Sequence, residues 1–160
     1  MTTFGKYTRT IVELGKDEAR KDASAAVEAQ HLLLAIAAGP DSVPRQILAG
    51  AGLDYRAVRE ALDREFEHSL NAAGVSAAAF DLPQPSGSPD RPSSLGASAK
   101  LAIQRGFASS GTRKALQPAH LLLGILRAEF GTVPRALALA GVDRTGLAER
   151  ARRALADAAQ

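Results

Sequence analysis

The chain has 160 residues, 46% of them apolar and 23% charged, with a net charge of +3, three histidines and no cysteine. That length and apolar content suit one compact domain able to bury a core. The lack of cysteine excludes disulfides, thiolate metal sites and cysteine nucleophiles. The opening residues MTTFGKYTRT have no apolar signal core, and the longest apolar run, Leu32 to Ala38, is far short of the roughly 20 residues that span a bilayer. The expectation is a soluble cytoplasmic protein with no membrane contact.

In chain order, Tyr7, Ile11, Leu14 and the pair Glu18-Ala19 fall at helical spacing and predict a first amphipathic helix. His31 to Ala38 is apolar nearly all round, the pattern of a short helix buried inside a bundle. Ser42 precedes Val43-Pro44, so a hydroxyl cap followed by a first-turn proline predicts a third helix. Gly52 then stops that helix and Asp54 caps a fourth, whose stripe is Tyr55, Val58, Leu62 and Phe66.

The same sentence then recurs. Residues 117–155 repeat residues 28–62: His120-Leu121-Leu122-Leu123 matches His31-Leu32-Leu33-Leu34, Val133-Pro134-Arg135 matches Val43-Pro44-Arg45, and Gly141 and Asp143 match Gly52 and Asp54, at an offset of 89 or 90 residues. Thr132 is the expected cap of the second proline-led helix. Two copies of one motif must fold alike and can share a core about a pseudo-twofold axis. The predicted fold is all-α, eight helices in two four-helix repeats, over residues 1–70 and 95–160 of a single domain 1–160. Between them, residues 71–94, with Pro83, Pro85, Pro89 and Pro92 among serines and glycines, read as a linker. No sustained alternation and no Asn-Gly or Asp-Gly hairpin signal competes.

Candidate chemistry is sparse. Gly5-Lys6 and Gly15-Lys16 are followed by Tyr7 and Asp17, so neither ends a phosphate-binding loop, and no Gly-x-Ser-x-Gly elbow or Ser-x-x-Lys pair occurs. The chain is expected to be non-enzymatic and free of cofactors. His31 and His120 lack a second ligand at helical spacing, so each reads as a structural histidine bonded to loop backbone rather than a metal ligand, and His68 as exposed. Asp17-Glu18 and Asp63, Glu65 and Glu67 alternate with basic residues and read as solvated charge. Charge is uneven, with 9 basic and 11 acidic residues in 1–70 against 10 and 4 in 95–160. An anionic partner, including nucleic acid, is therefore the alternative reading for the second repeat, although no aromatics are interleaved for base stacking.

These residues resemble the N-terminal domain of the Clp AAA+ unfoldases, particularly the ClpC type. That family carries two copies of a phrase close to Phe-Thr-x-x-Ala, then Thr-Glu-His followed by a leucine-rich run, then a Gly-Val-Asp ending. Phe4 to His31 follows the first copy, and Leu95-Gly96-Ala97-Ser98-Ala99-Lys100 opens the second. The resemblance implies a recognition module that binds peptide or protein ligands of the Clp system: an adaptor, or a decoy for degrons, adaptors or cyclic-peptide antibiotics, here as a stand-alone monomer without the ATPase ring. It also implies a ligand groove between the first helices of the two repeats, matched here by Phe4, Arg9, Lys16, Leu95, Lys100, Ile103 and Gln104. The family's phosphoarginine-binding Glu positions hold Gln30 and Ala119, and its Thr positions Gly5 and Gly96. An amide or a methyl cannot supply the carboxylate that pairs with a guanidinium, so that activity is not carried over.

Overall fold

The computed structural model describes residues 2–74 and 90–159; residues 75–89 of the expected linker lie outside them. Repeat one contributes α1 (Thr3–Lys21), α2 (Ala29–Ala38), α3 (Val43–Gly50) and α4 (Tyr55–Ala72). Repeat two contributes α5 (Ala97–Ser109), α6 (Ala119–Leu126), α7 (Thr132–Leu139) and α8 (Arg144–Ala158), with a 3₁₀ turn at Arg113–Ala115 before α6. The eight expected α-helices are present, and among the described residues the one β feature is an isolated parallel bridge between Val27 and Leu95.

The arrangement is a pseudo-twofold exchange. The central helix packs on the outer two of its own repeat, and across the axis α4 lies on α7 while α3 lies on α8, the same pairing with the repeats swapped. Every residue of α6 is buried, and in α2 only Gln30 and Ala38 are not. Leucine and isoleucine side chains of this kind contribute roughly 1.5–3 kcal/mol each when fully buried, so the two leucine runs dominate the core. On the axis the turn residues Ala51 and Leu53 face Ala140 and Val142 across a small cleft.

Local signals set most helix ends. Asp54 Oδ1 accepts from Ala57 N–H at 2.8 Å and Asp143 Oδ1 from Gly146 N–H at 3.0 Å. Gly52 and Gly141 take φ of 76° and 72°, and the next amide in each case reaches back to Leu48 O or Leu137 O, closing both third helices in the way glycine alone adopts without strain. Ser42 caps α3 as expected. In repeat two the expectation fails by one residue: Gly131, at φ 112°, is the cap, and Thr132 is the first helical residue.

The acidic residues expected to be solvated include two that are buried, Glu18 and Glu65, each 5% exposed. Glu18 Oε2 accepts from Tyr55 Oη at 2.9 Å and Arg59 Nη2 at 2.7 Å, while Arg59 Nη1 reaches Asp22 Oδ1 at 2.8 Å. Glu65 accepts from Arg135 Nε at 3.0 Å across the repeats and from Ser69 Oγ at 2.6 Å. Phe66, assigned to the core stripe of α4, is instead 55% exposed, because the helix turns Glu65 inward to meet Arg135. Burial of a carboxylate is tolerated when its lone pairs are filled by charged donors, as they are here.

Helices α5 and α6 touch backbone to backbone. A Cβ on Gly124 would collide with Ala102 O and sit 2.7 Å from Gly106 N, both in the facing helix. Gly124→Ala is therefore expected to lower unfolding free energy by about 1–3 kcal/mol in urea titrations, the usual cost of overpacking. Gly111→Ala, where no atom stands within 4 Å, should change it by less than about 0.5 kcal/mol.

Burial opposes ionisation of Asp22, but the hydrogen bond from His31 and the charge and hydrogen bond of Arg59 outweigh it and hold the carboxyl below its ordinary range. A depressed folded-state pKa stabilises above the unfolded value near 4, and that contribution disappears as pH falls through the folded value. Asp22→Asn should cost about 1 kcal/mol at pH 7, a part-exposed pair being discounted for solvent, and should flatten the acid limb of stability below about pH 4. An unchanged acid limb would contradict this assignment.

Candidate binding surface

The two repeats meet along a seam between the entry to α2 and the chain just before α5. Val27 N–H donates to Ser94 O at 3.0 Å and Gly96 N–H to Val27 O at 2.7 Å, which places Leu95 beside the entry to α2. Ser98 Oγ then accepts from Ala29 N–H at 2.8 Å and donates to Glu28 Oε2, so a side chain of repeat two satisfies the open end of a repeat-one helix. Arg91 clamps the same segment to α1, with Nη2 2.6 Å from Glu13 O and Nε 3.0 Å from Asp17 Oδ1. The rings of Phe4 on α1 and Phe107 on α5 meet edge to face at 5.1 Å.

Against this frame the seven expected contacts separate. Phe4 is 1% exposed, so its ring is a core anchor under α5 and presents no surface to a ligand. Leu95 and Ile103 are half-buried and pack on the core. Lys16 is spoken for in part, its Nζ standing 2.7 Å from Glu13 Oε1, and that hydrogen bond is the first cause of the lowered pKa of Glu13. Arg9, Lys100 and Gln104 are exposed.

Lys100 and Gln104 share the outer face of α5 with two residues the sequence reading did not single out. Leu101 is 45% exposed and Phe107 46% exposed, one turn apart from their polar neighbours. Lys100, Leu101, Gln104 and Phe107 recur at helical spacing, a signal open to inspection but masked by the small residues of the opposite face. The result is a surface of apolar side chains flanked by a lysine and an amide. Scattered exposed apolar residues are ordinary, whereas a cluster on one helix face with polar flanks is a surface able to take a partner.

At Gly96, where the family resemblance places a threonine, a Cβ would meet the Glu28 carboxylate, which would have to swing away from Ser98 to admit it. Ala119 is buried at 2% exposure and Gln30 is half-buried. The two buried histidines bond loop backbone, as expected, Glu28 N–H donating to His31 Nδ1 and Gln117 N–H to His120 Nδ1, each at 2.9 Å, and His68 is exposed. Burial lowers the pKa of His120, partly offset by the Gln117 carbonyl oxygen 3.3 Å from Nδ1. No group of three or more metal-binding side chains occurs among the described residues, and no helix among them is long and apolar enough to cross a membrane. Part of the positive charge of repeat two is internally engaged, through Arg135 on Glu65, Arg144 on Leu126 O and Arg152 on Glu149.

No curated protein matches the chain. In structure it is similar to the N-terminal domain of the caseinolytic protease associated chaperone ClpD from Arabidopsis thaliana, with a TM-score of 0.65 and 20% identity over 96% of this chain and 94% of that one. That likeness includes the second repeat and shows the fold. The sequence profile of the Clp repeat (R) N-terminal domain matches residues 3–88, more than half of the chain. The chain belongs to the Clp repeat (R) N-terminal domain family.

Proposed function

We propose that this chain is a non-catalytic recognition module of the Clp system whose ligands are peptides or proteins, taken on the outer face of α5. The observation that carries the reading is the exposure of Leu101 and Phe107 beside Lys100 and Gln104. Two large apolar side chains supply area that gains from being covered, and the flanking lysine and amide orient what covers it. In this reading Arg9 and Lys16 on α1, with Leu95 and Ile103, extend this face, as the groove that the family resemblance implies would have it. Family membership supports polypeptide recognition in the Clp system; the roles of adaptor for degrons and of decoy for cyclic-peptide antibiotics are finer forms of the same proposal. The protein acts in the cytoplasm as a monomer in this reading.

Isothermal titration of the chain with an unfolded protein, reduced carboxymethylated lactalbumin, and with a Clp-directed cyclic peptide tests the proposal. At least one should bind, and amide shifts on labelled protein should centre on Lys100, Leu101 and Gln104. Leu101→Ser and Lys100→Glu, both at exposed positions, should weaken that binding about tenfold or more while leaving the unfolding midpoint in place. Binding that both variants leave unchanged would contradict the assignment of the site.

A further inference from the structure

Both repeats build the same hydrogen-bond donor, and only the first builds an acceptor for it. Nδ1 of His31 and of His120 each lies 2.9 Å from the amide three residues upstream, a group that can only donate, and at His120 this is shorter than the 3.3 Å approach of Nδ1 to Gln117 O; a neutral ring therefore carries its proton on Nε2 in both. In repeat one, Nε2 of His31 lies 3.2 Å from Asp22 Oδ2, and Arg59 holds that aspartate in turn. In repeat two, α5 ends at Ser109, and residues 110–116, which lead through the 3₁₀ turn to α6, contain no carboxylate. Among the described residues nothing accepts from Nε2 of His120, and although the residue is only 5% exposed that nitrogen is open to solvent, since Thr8 Oγ1 is the one buried side-chain polar atom among them without a partner.

The His120 ring lines a cleft of about 390 Å³ shared with Ser109, Leu123, Arg127, Arg152 and Leu155. With Nδ1 turned to the Gln117 backbone, Nε2 is the nitrogen left to serve the cleft. The charge around the two histidines is inverted between the repeats. At the 89-residue offset that relates His31 to His120, Asp63 corresponds to Arg152 and Ala38 to Arg127. Arg127 is exposed and has no carboxylate within ion-pair distance among the described residues. Arg152 has Glu149, one turn away on its own helix, both about half exposed, and such a pair holds its arginine weakly.

We propose that this cleft binds a carboxylate of a peptide ligand, which takes on His120 the place that Asp22 takes on His31. The Nε2–H of His120 and the guanidinium groups of Arg127 and Arg152 supply the donors, and charge-assisted hydrogen bonds of that kind favour a carboxylate strongly. Leu123 and Leu155 form an apolar wall that fits the side chain or neighbouring residue carrying the acid, and a bare inorganic anion would leave that wall uncovered. The acid is either the chain terminus or an Asp or Glu side chain. The proposal rests on the reading of the chain as a polypeptide-recognition module but uses none of the α5-face residues.

The test is a titration of the labelled chain with four probes: a leucine-terminated hexapeptide with a free carboxylate, its C-terminal amide, the amide with one internal Asp, and inorganic phosphate. The free acid or the Asp peptide should shift Ser109, Arg127 and the His120 ring, and the better of the two identifies the source of the carboxylate. The amide lacking any acid should bind at least about tenfold more weakly, as should the best probe to Arg127→Gln and Arg152→Gln, which alter exposed side chains. Leu101→Ser should leave cleft binding intact, which separates this site from the α5 face. Equal affinity for the acid-free amide, phosphate binding as tight as the peptide, or shifts confined to α5 would overturn the proposal, the last while leaving α5-face recognition standing.

Discussion

A helix that exposes almost no surface cannot leave its amide ends to water, and α2 and α6 are both of that kind. Each solves the difficulty with a histidine in its first turn, whose Nδ1 takes the amide at the helix entry at 2.9 Å. Much else follows from that choice. The imidazole must be inside, where it is 1% exposed in repeat one and 5% in repeat two, and its second nitrogen meets Asp22 in repeat one and faces a cleft in repeat two. The leucines that follow can then pack on every side without an unsatisfied terminus at the centre of the molecule.

The two repeats diverge in what they do around this shared device. Repeat one closes it: a long α1 delivers Glu18 and Asp22, α4 delivers Tyr55 and Arg59, and the polar groups satisfy one another. Repeat two shortens the first helix from 19 residues to 13, inserts a 3₁₀ turn, and fills the facing positions with arginines. A duplicated scaffold thus keeps its packing solution in both halves while one half becomes a sealed structural lobe and the other retains open, cationic chemistry. The seam between them is reinforced from both sides, by Ser98 at the entry to α2 and by Arg135 on the buried Glu65.

The repeat, the helix count, the two Asp caps, the two glycine stops and the two backbone-bonded histidines were all legible in the sequence, because each depends on short-range chemistry that spacing displays. What was not legible depends on which face of a helix a neighbour covers. Glu18 and Glu65 look like surface acids among basic residues, and only the arrival of Arg59 and Arg135 from other helices makes them core residues. Phe66 looks like core and is displaced by that same pairing. Phe4, matched to the groove by family resemblance, anchors the seam from beneath, while Leu101 and Phe107, which that match did not include, occupy the outer surface beside Lys100 and Gln104. Thr132 lost its cap role to Gly131 because the residue before it can adopt a positive φ and thereby starts the helix one position early.

The central claim is that both imidazoles are Nε2–H tautomers fixed by a helix-entry amide, identical in role and different only in what meets the second nitrogen. Long-range nitrogen–proton NMR of the labelled protein near neutral pH reads this directly, since the protonated and unprotonated ring nitrogens have well-separated shifts. The account predicts an unprotonated Nδ1 for both His31 and His120, unlike the averaged pattern of exposed His68. An Nδ1–H tautomer at either buried position, or fast averaging there as at His68, would contradict it.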